Sequence, residues 1–186
     1  FRTDHHWTPL GAYYGYRAFA EAMGFKPSSL DSFTPNTVSE NFYGTTYSSS
    51  GIRSVEPDKI VIFVEDYEGL SITNYTTGSA EEGVLYDYSR LETKDKYSMF
   101  FGGNTPLLQI KTGHEGPKLL IIRDSYADAF IPFLFEHFSE IHAIDLRYNK
   151  SSVRDYIAEH GIDEVLISYG LSNFVSDANV FLLGRQ

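Results

Sequence analysis

The sequence contains no cysteine, which excludes disulfides, thiolate nucleophiles and cysteine-ligated metal centres, although it says nothing about compartment. No apolar run approaches the ~20 residues of a membrane-spanning helix. Positive charge is scarce. Lys and Arg number 15 against 25 Asp and Glu, a formal net charge of −10 over 186 residues. Gripping a phosphate backbone needs a basic footprint, so nucleic acid is excluded as a partner class. Tryptophan occurs once, whereas Tyr and Phe supply 14 residues each, so nearly all aromatic surface comes from these two. Hydrophobic residues at 42% and charged residues at 22% match ordinary globular usage, and the length suits one domain with a sizeable core.

The chain opens on Phe1-Arg2-Thr3, without a leading Met or a signal-peptide pattern, as expected for a fragment of a longer chain. A helix is well marked just after this opening. Thr8 can cap it, Pro9 takes the first helical position and Gly24 follows its end, while Leu10, Tyr13, Phe19, Ala20 and Met23 recur at helical spacing. Residues 25–58 turn polar and read as loops with short strands. The run 59–64, Lys-Ile-Val-Ile-Phe-Val, reads as a buried strand, and 65–103 as hairpins and loops. Between Glu56 and Lys96 ten acidic residues face four basic ones, so this block holds −6 of the net −10.

The last third is the most legible. Strands are expected at 118–122, 141–146 and 164–168. Helical periodicity follows the first, and a second helix, capped by Ser151 or Ser152, carries Val153, Tyr156 and Ile157 and closes at Gly161. Strand–helix–strand–helix–strand at this spacing means two βαβ units, a parallel sheet and an α/β fold class. The domain reading is one unit over 1–186, with a β- and loop-rich acidic insertion at about 30–104 and a βαβαβ core at 117–173.

In an open parallel sheet, ligands bind beyond the carboxyl ends of the strands. There stand Asp124-Ser125, Arg147-Tyr148 and Gly170 through Asn173. Ser125, between strand and helix, could attack a carbonyl while its backbone N–H faces the oxyanion. Ser125-x-x-Asp128 equally fits a capping-box variant with Ser125 a plain N-cap. A serine nucleophile needs a base, and Asp4-His5-His6 offers one before the first helix. A neutral imidazole is favoured at a helix N-terminus. In an extended segment Asp4 and His6 share a side and His5 faces away. Divergent imidazoles would not hold zinc, so no metal site is expected here.

Thr3-Asp4-His5-His6-Trp7-Thr8, followed by Gly11-Ala12-Tyr13-Tyr14-Gly15-Tyr16-Arg17-Ala18-Phe19, resembles the namesake motif of the DHHW protein family. Gly102-Gly103-Asn104 and Arg123-Asp124-Ser125-Tyr126-Ala127 resemble its later blocks. That family is similar to the alginate O-acetylation proteins, a permuted branch of the SGNH-hydrolase superfamily. The resemblance implies a three-layer SGNH-like α/β fold, Ser125 as nucleophile, His6 as base and Asp4 as the residue orienting His6. Two positions depart from the SGNH pattern: Arg123 replaces the glycine before Asp-Ser, and Arg147 the glycine after the second strand. The asparagine that completes the oxyanion hole is then Asn173 or its rival Asn104, and Arg147 and Tyr148 are expected to line the substrate side.

The function this implies is a serine-dependent O-acetyltransferase or acetylesterase acting on an exported or cell-envelope polysaccharide through an acyl-enzyme, without a cofactor. Its partners would be a polysaccharide acceptor and a membrane acyltransferase donor, with membrane contact only through an upstream anchor. The acidic block adds that the glycan should be neutral, amino-sugar or zwitterionic, because a polyuronate would be repelled. The alternative is a non-catalytic carbohydrate-binding or scaffold protein on a degenerate SGNH fold. The two arginines motivate it, as do Tyr13, Tyr14, Tyr126, Tyr148 and Tyr169, which could stack on sugars. His114, His137, His142 and His160 lack partners at ligand spacing and read as structural or surface residues.

Overall fold

The computed structural model describes residues 1–65, 67–76 and 78–184; Asp66 of the acidic block lies outside the described residues. Helix α1 (Pro9–Met23) forms as its punctuation dictates: the Thr8 hydroxyl accepts from the Gly11 amide, Pro9 opens it, and Gly24 closes it at φ 81°. Ala12, Tyr13, Tyr16 and Ala20 make its buried face. Strands β1 (Thr34–Phe42) and β2 (Asp58–Val64) pair antiparallel in a sheet of their own, with α2 (Thr45–Ser50) between them in the chain. The run 59–64, read as a buried strand, is covered on one face only. Ile60 and Ile62 are buried, while Lys59 is exposed, because a two-stranded sheet leaves its other face uncovered.

The main sheet has the order β4-β3-β5-β7-β6-β8, built from β3 (Ser71–Asn74), β4 (Glu81–Glu82), β5 (Leu107–Lys111), β6 (Lys118–Arg123), β7 (Glu140–Ile144) and β8 (Glu164–Ser168). β6 runs parallel to β7 and β8 as expected. The sheet is nevertheless mixed, since β5 is antiparallel to β7 and to β3, and β4 is antiparallel to β3. The sequence reading had no strand at 107–111, and it kept 71–82 outside the core sheet. These segments are short and flanked by Gly and Pro, and pairing with β7 supplies what local propensity lacks.

β6 carries the core. Leu119 and Ile121 join the apolar cluster that contains α1, while Leu120 and Ile122 join a second cluster with Val153 and Tyr156 of α3 (Val153–His160). That is the period-two alternation of a strand covered on both faces. Each fully buried aliphatic side chain contributes about 2 kcal/mol. The stretch after β6 is not the single helix its periodicity suggested. It forms two 3₁₀ segments, Ser125–Ala129 and Ile131–His137, and nearly every side chain from Ala127 to Phe135 is buried. Pro132 lacks the N–H that a continuous helix would use, and a segment buried on all sides has no solvent face to set a helical stripe. Most of the aromatic surplus is core: Tyr13, Tyr16, Phe33 and Phe133 pack ring to ring at 5.2–6.2 Å.

Candidate active site

Ser125 lies two residues beyond the end of β6, at the centre of the sheet's parallel half. Asp124, fully buried, sets its position. Its Oδ1 accepts from the Tyr126 amide (2.9 Å), and its Oδ2 accepts from the Gly170 amide (2.9 Å) and the Asn173 side-chain amide (2.7 Å). Asp124 is therefore the N-cap of the 3₁₀ segment, which removes the reading of Ser125 as a plain cap. Asp128 caps nothing either, for it holds the Arg123 guanidinium at 2.5 Å. Among the described residues nothing accepts from the Ser125 amide.

His6 comes to Ser125 from the other end of the chain. Its Nε2 stands 2.8 Å from Ser125 Oγ and its Nδ1 2.5 Å from Asp4 Oδ1. This network assigns the proton to Nδ1 and leaves the Nε2 lone pair facing the serine hydroxyl. The His6 ring lies flat on Tyr97, at 3.7 Å and 6° between planes, and the Tyr97 hydroxyl donates to the Ser125 carbonyl at 3.1 Å. Burial alone would raise the Asp4 pKa. Hydrogen bonds from the His6 side chain, the Thr45 amide and the His6 amide outweigh it and hold Asp4 well below the usual carboxylate range.

The turn carrying Asp4 and His6 belongs to no sheet and is held by polar contacts. Asp58, at the start of β2, accepts from the Thr3 amide (2.7 Å), the Thr3 hydroxyl (2.6 Å) and the Arg2 amide (3.0 Å). The Thr45 amide and hydroxyl reach Asp4 Oδ2 at 2.8 and 3.0 Å. Gly44 is required here because a Cβ would lie 2.2 Å from Asp4 Oδ2. Trp7 Nε1 donates to the Tyr126 carbonyl at 2.8 Å and ties the turn to the Ser125 segment.

A cavity of about 230 Å³ opens over this relay, and Ser125, His6, Asn104, Arg147 and Asn173 all line it. Tyr148 does not: it is half exposed, with the Arg147 guanidinium 5.4 Å from its ring centre. Arg147 binds the buried Asp145 carboxylate through Nε (3.0 Å) and Nη2 (2.6 Å). Arg123 is fully buried and donates to Thr105 and to Asp128, itself a residue of the cavity wall. Asn173 is partly spent on Asp124, while Asn104 is exposed.

His5 departs from expectation. The segment bends instead of running extended, so the His5 and His6 rings lie 3.8 Å apart, and His5 Nδ1 meets Thr45 Oγ1 at 2.6 Å. Divergence was thus the wrong argument against a metal, since ligand atoms of Asp4, His5 and His6 fall within 4.8 Å of one another. The chemistry argues otherwise: Asp4 Oδ1 is engaged by His6 and its Oδ2 by Thr45. The other histidines lie outside this cavity: His137 meets the Tyr16 hydroxyl at 2.6 Å and His142 the Tyr156 hydroxyl at 2.7 Å.

Tyr97, Thr45 and Asp58 escaped sequence reasoning. Thr45 and Asp58 sit in the polar stretch 25–58 and Tyr97 in the loops of 65–103, with no spacing that links them to the motif, and only folding brings them to it.

The DHHW protein family model matches residues 1–144. The fold is similar to that of a DHHW family protein from Eubacterium siraeum DSM 15702, at 31% identity and TM-score 0.81, over 97% of this chain and 62% of that one. It is also similar to Bacillus cereus PatB1 at 21% identity and TM-score 0.75, over 93% of this chain and 62% of that one. PatB1 with a sulfonyl adduct matches at 22% identity and TM-score 0.73, over 91% and 60%. The chain thus spans about three fifths of the length of these proteins. No curated protein matches it.

Proposed function

The chain belongs to the DHHW protein family, and from that premise we propose that it is a serine-dependent acyl-transfer enzyme. It acts as an O-acetyltransferase or acetylesterase on an exported or cell-envelope polysaccharide, on an SGNH-like fold. One observation carries this reading: the unbroken Asp4–His6–Ser125 relay, with links of 2.5 and 2.8 Å, whose His6 and Ser125 line a cavity.

In the first half-reaction His6 Nε2 takes the Ser125 hydroxyl proton as Oγ bonds to the donor's acyl carbon. The tetrahedral oxyanion collapses, its leaving oxygen takes the proton from His6, and an acyl-serine remains. In the second half-reaction an acceptor hydroxyl, from a sugar or water, gives its proton to His6 and attacks the acyl carbon; the second oxyanion collapses, and Ser125 Oγ leaves with the proton that His6 returns. Asp4 orients His6 and stabilises its charged form throughout. The Ser125 amide, with Asn173 or Asn104, is the donor set for the oxyanion. The sulfonyl adduct described for PatB1 supports the reading, because sulfonylating reagents mark activated nucleophiles. The polysaccharide acceptor, a membrane acyltransferase as donor, an upstream anchor and a location outside the cell are parts of the same proposal.

A chromogenic acetyl ester and a sulfonyl fluoride test it together. The wild type should hydrolyse the ester and take up one sulfonyl group with loss of activity. Ser125→Ala should do neither, with kcat down about 10⁴–10⁶-fold. Equal hydrolysis by the two proteins would sink the triad. A protein that binds glycan but is never sulfonylated would be the scaffold instead.

A further inference from the structure

A second cavity, of about 250 Å³, lies behind the relay. It shares Thr45 and Asp95 with the catalytic cavity, and its inner wall includes Asp4. We propose that this cavity is a subsite for a second sugar ring of an oligosaccharide acceptor whose reacting ring occupies the catalytic cavity. The proposal rests on the acyl-transfer reading and adds the length and charge class of the acceptor.

Size is the first argument. Drug-sized ligands fill roughly 300–1,000 Å³; two adjoining spaces of 230 and 250 Å³ suit one small ring apiece, joined at Thr45 and Asp95. The wall chemistry agrees. Tyr43 is a half-buried ring in the lining, and an aromatic face against the C–H face of a pyranose is a common mode of sugar binding. That ring is pre-positioned, packed on Tyr47 at 4.4 Å, and the Tyr47 amide in turn donates to the Thr3 carbonyl at 2.8 Å. Around it stand Ser48, Lys94 and Asp95. The side chains of Lys94 and Asp95 are exposed and make no hydrogen bond or ion pair among the described residues, so both are open to a ligand.

Lys94 and Asp95 carry opposite charges side by side, which favours neutral or zwitterionic rings over a polyanion. The cavity also sits on the machinery. The Gly44–Thr45 segment that forms its wall donates the Thr45 amide to Asp4 Oδ2 at 2.8 Å. A ring seated there presses on the segment that orients the relay.

Calorimetric binding to Ser125→Ala, which removes turnover, is the test. Chitotriose, a neutral amino-sugar trimer, should bind at least about tenfold more tightly than N-acetylglucosamine, a gain of about 1.4 kcal/mol. Adding Tyr43→Ala should erase that advantage. Lys94→Trp, at an exposed position, should erase it by filling the space, and keeps the test open if Tyr43→Ala lowers the melting temperature. A trimer that binds no better than the monomer, or an advantage that survives both substitutions, overturns the subsite. Trigalacturonate binding as tightly as chitotriose overturns the charge class. The sulfonylation assay reads the serine chemistry separately: labelling without the trimer advantage removes only the subsite.

Discussion

The Ser125 half and the His6 half of the relay, proposed as nucleophile half and base half, are supported in different ways. Ser125 lies just beyond β6, whose side chains from Leu119 through Ile122 are all buried, so each contributes about 2 kcal/mol to holding it. Asp4 and His6 sit on a turn outside every sheet, held by Asp58, Thr45, Tyr97 and Trp7. Hydrogen bonds of that kind contribute about 1 kcal/mol each. The contrast implies that the base half detaches first under any stress, while the serine stays where the sheet places it.

The largest effect should come from the chemistry of the base half. Asp4→Asn should reverse the preferred tautomer of His6 and lower kcat about 10⁴-fold with little change in unfolding midpoint; hydrolysis of an acetyl ester measures it. Next is the nucleophile half, where Asp124→Ala strands the Gly170 and Tyr126 amides and the Asn173 side chain. Urea unfolding should show a loss of about 3 kcal/mol. A loss below 1 kcal/mol would mean that the strand ends do not depend on this carboxylate.

Asp58→Asn should cost less, about 1–2 kcal/mol, and should act on the turn alone. Trp7, the only tryptophan, reports it: its emission should shift before the far-ultraviolet signal of the sheet changes. If both signals move together, the two halves are one cooperative unit and the contrast fails.

Acid should produce a similar separation. Burial pushes the Asp58 pKa up, but hydrogen bonds from Thr3 and the Arg2 amide hold it below the usual range, as with Asp4. Carboxylates with depressed folded pKa values contribute stability above their unfolded value, about 3.9, and lose it as pH falls through the folded value. The Trp7 signal should therefore be flat with respect to these two groups above about pH 4 and move below it. The smallest effect belongs to Thr45→Val, which removes the hydroxyl that Asp4 and His5 share but keeps the amide on Asp4. It should change stability by less than about 1 kcal/mol and kcat by severalfold, read on the same ester.

Local signals were readable where local physics governs. Thr8, Pro9 and Gly24 bounded α1, and apolar runs marked β6, β7 and β8. β8 shows the limit. It reads like β6 in sequence, yet it is an edge strand with Val165 and Ile167 half exposed, because position in a sheet is not a property of the strand. For the same reason β5, and the joining of β3 and β4 from the stretch read as hairpins to the core sheet, went unseen. In the site, Asp4 and His6 stand two residues apart and their shared side was legible. The supports Tyr97, Thr45 and Asp58 were not, because no short-range pattern connects them to residues 3–6.

By itself, the amino-acid order determined the caps of α1, the apolar runs that become β6, β7 and β8 and the net charge of −10, since each follows from residue type and nearest-neighbour spacing. Only the tertiary structure decided that an imidazole at residue 6 meets a hydroxyl at residue 125. That pairing closes a loop of 119 residues, whose entropic cost is met by the whole core and by no motif within it.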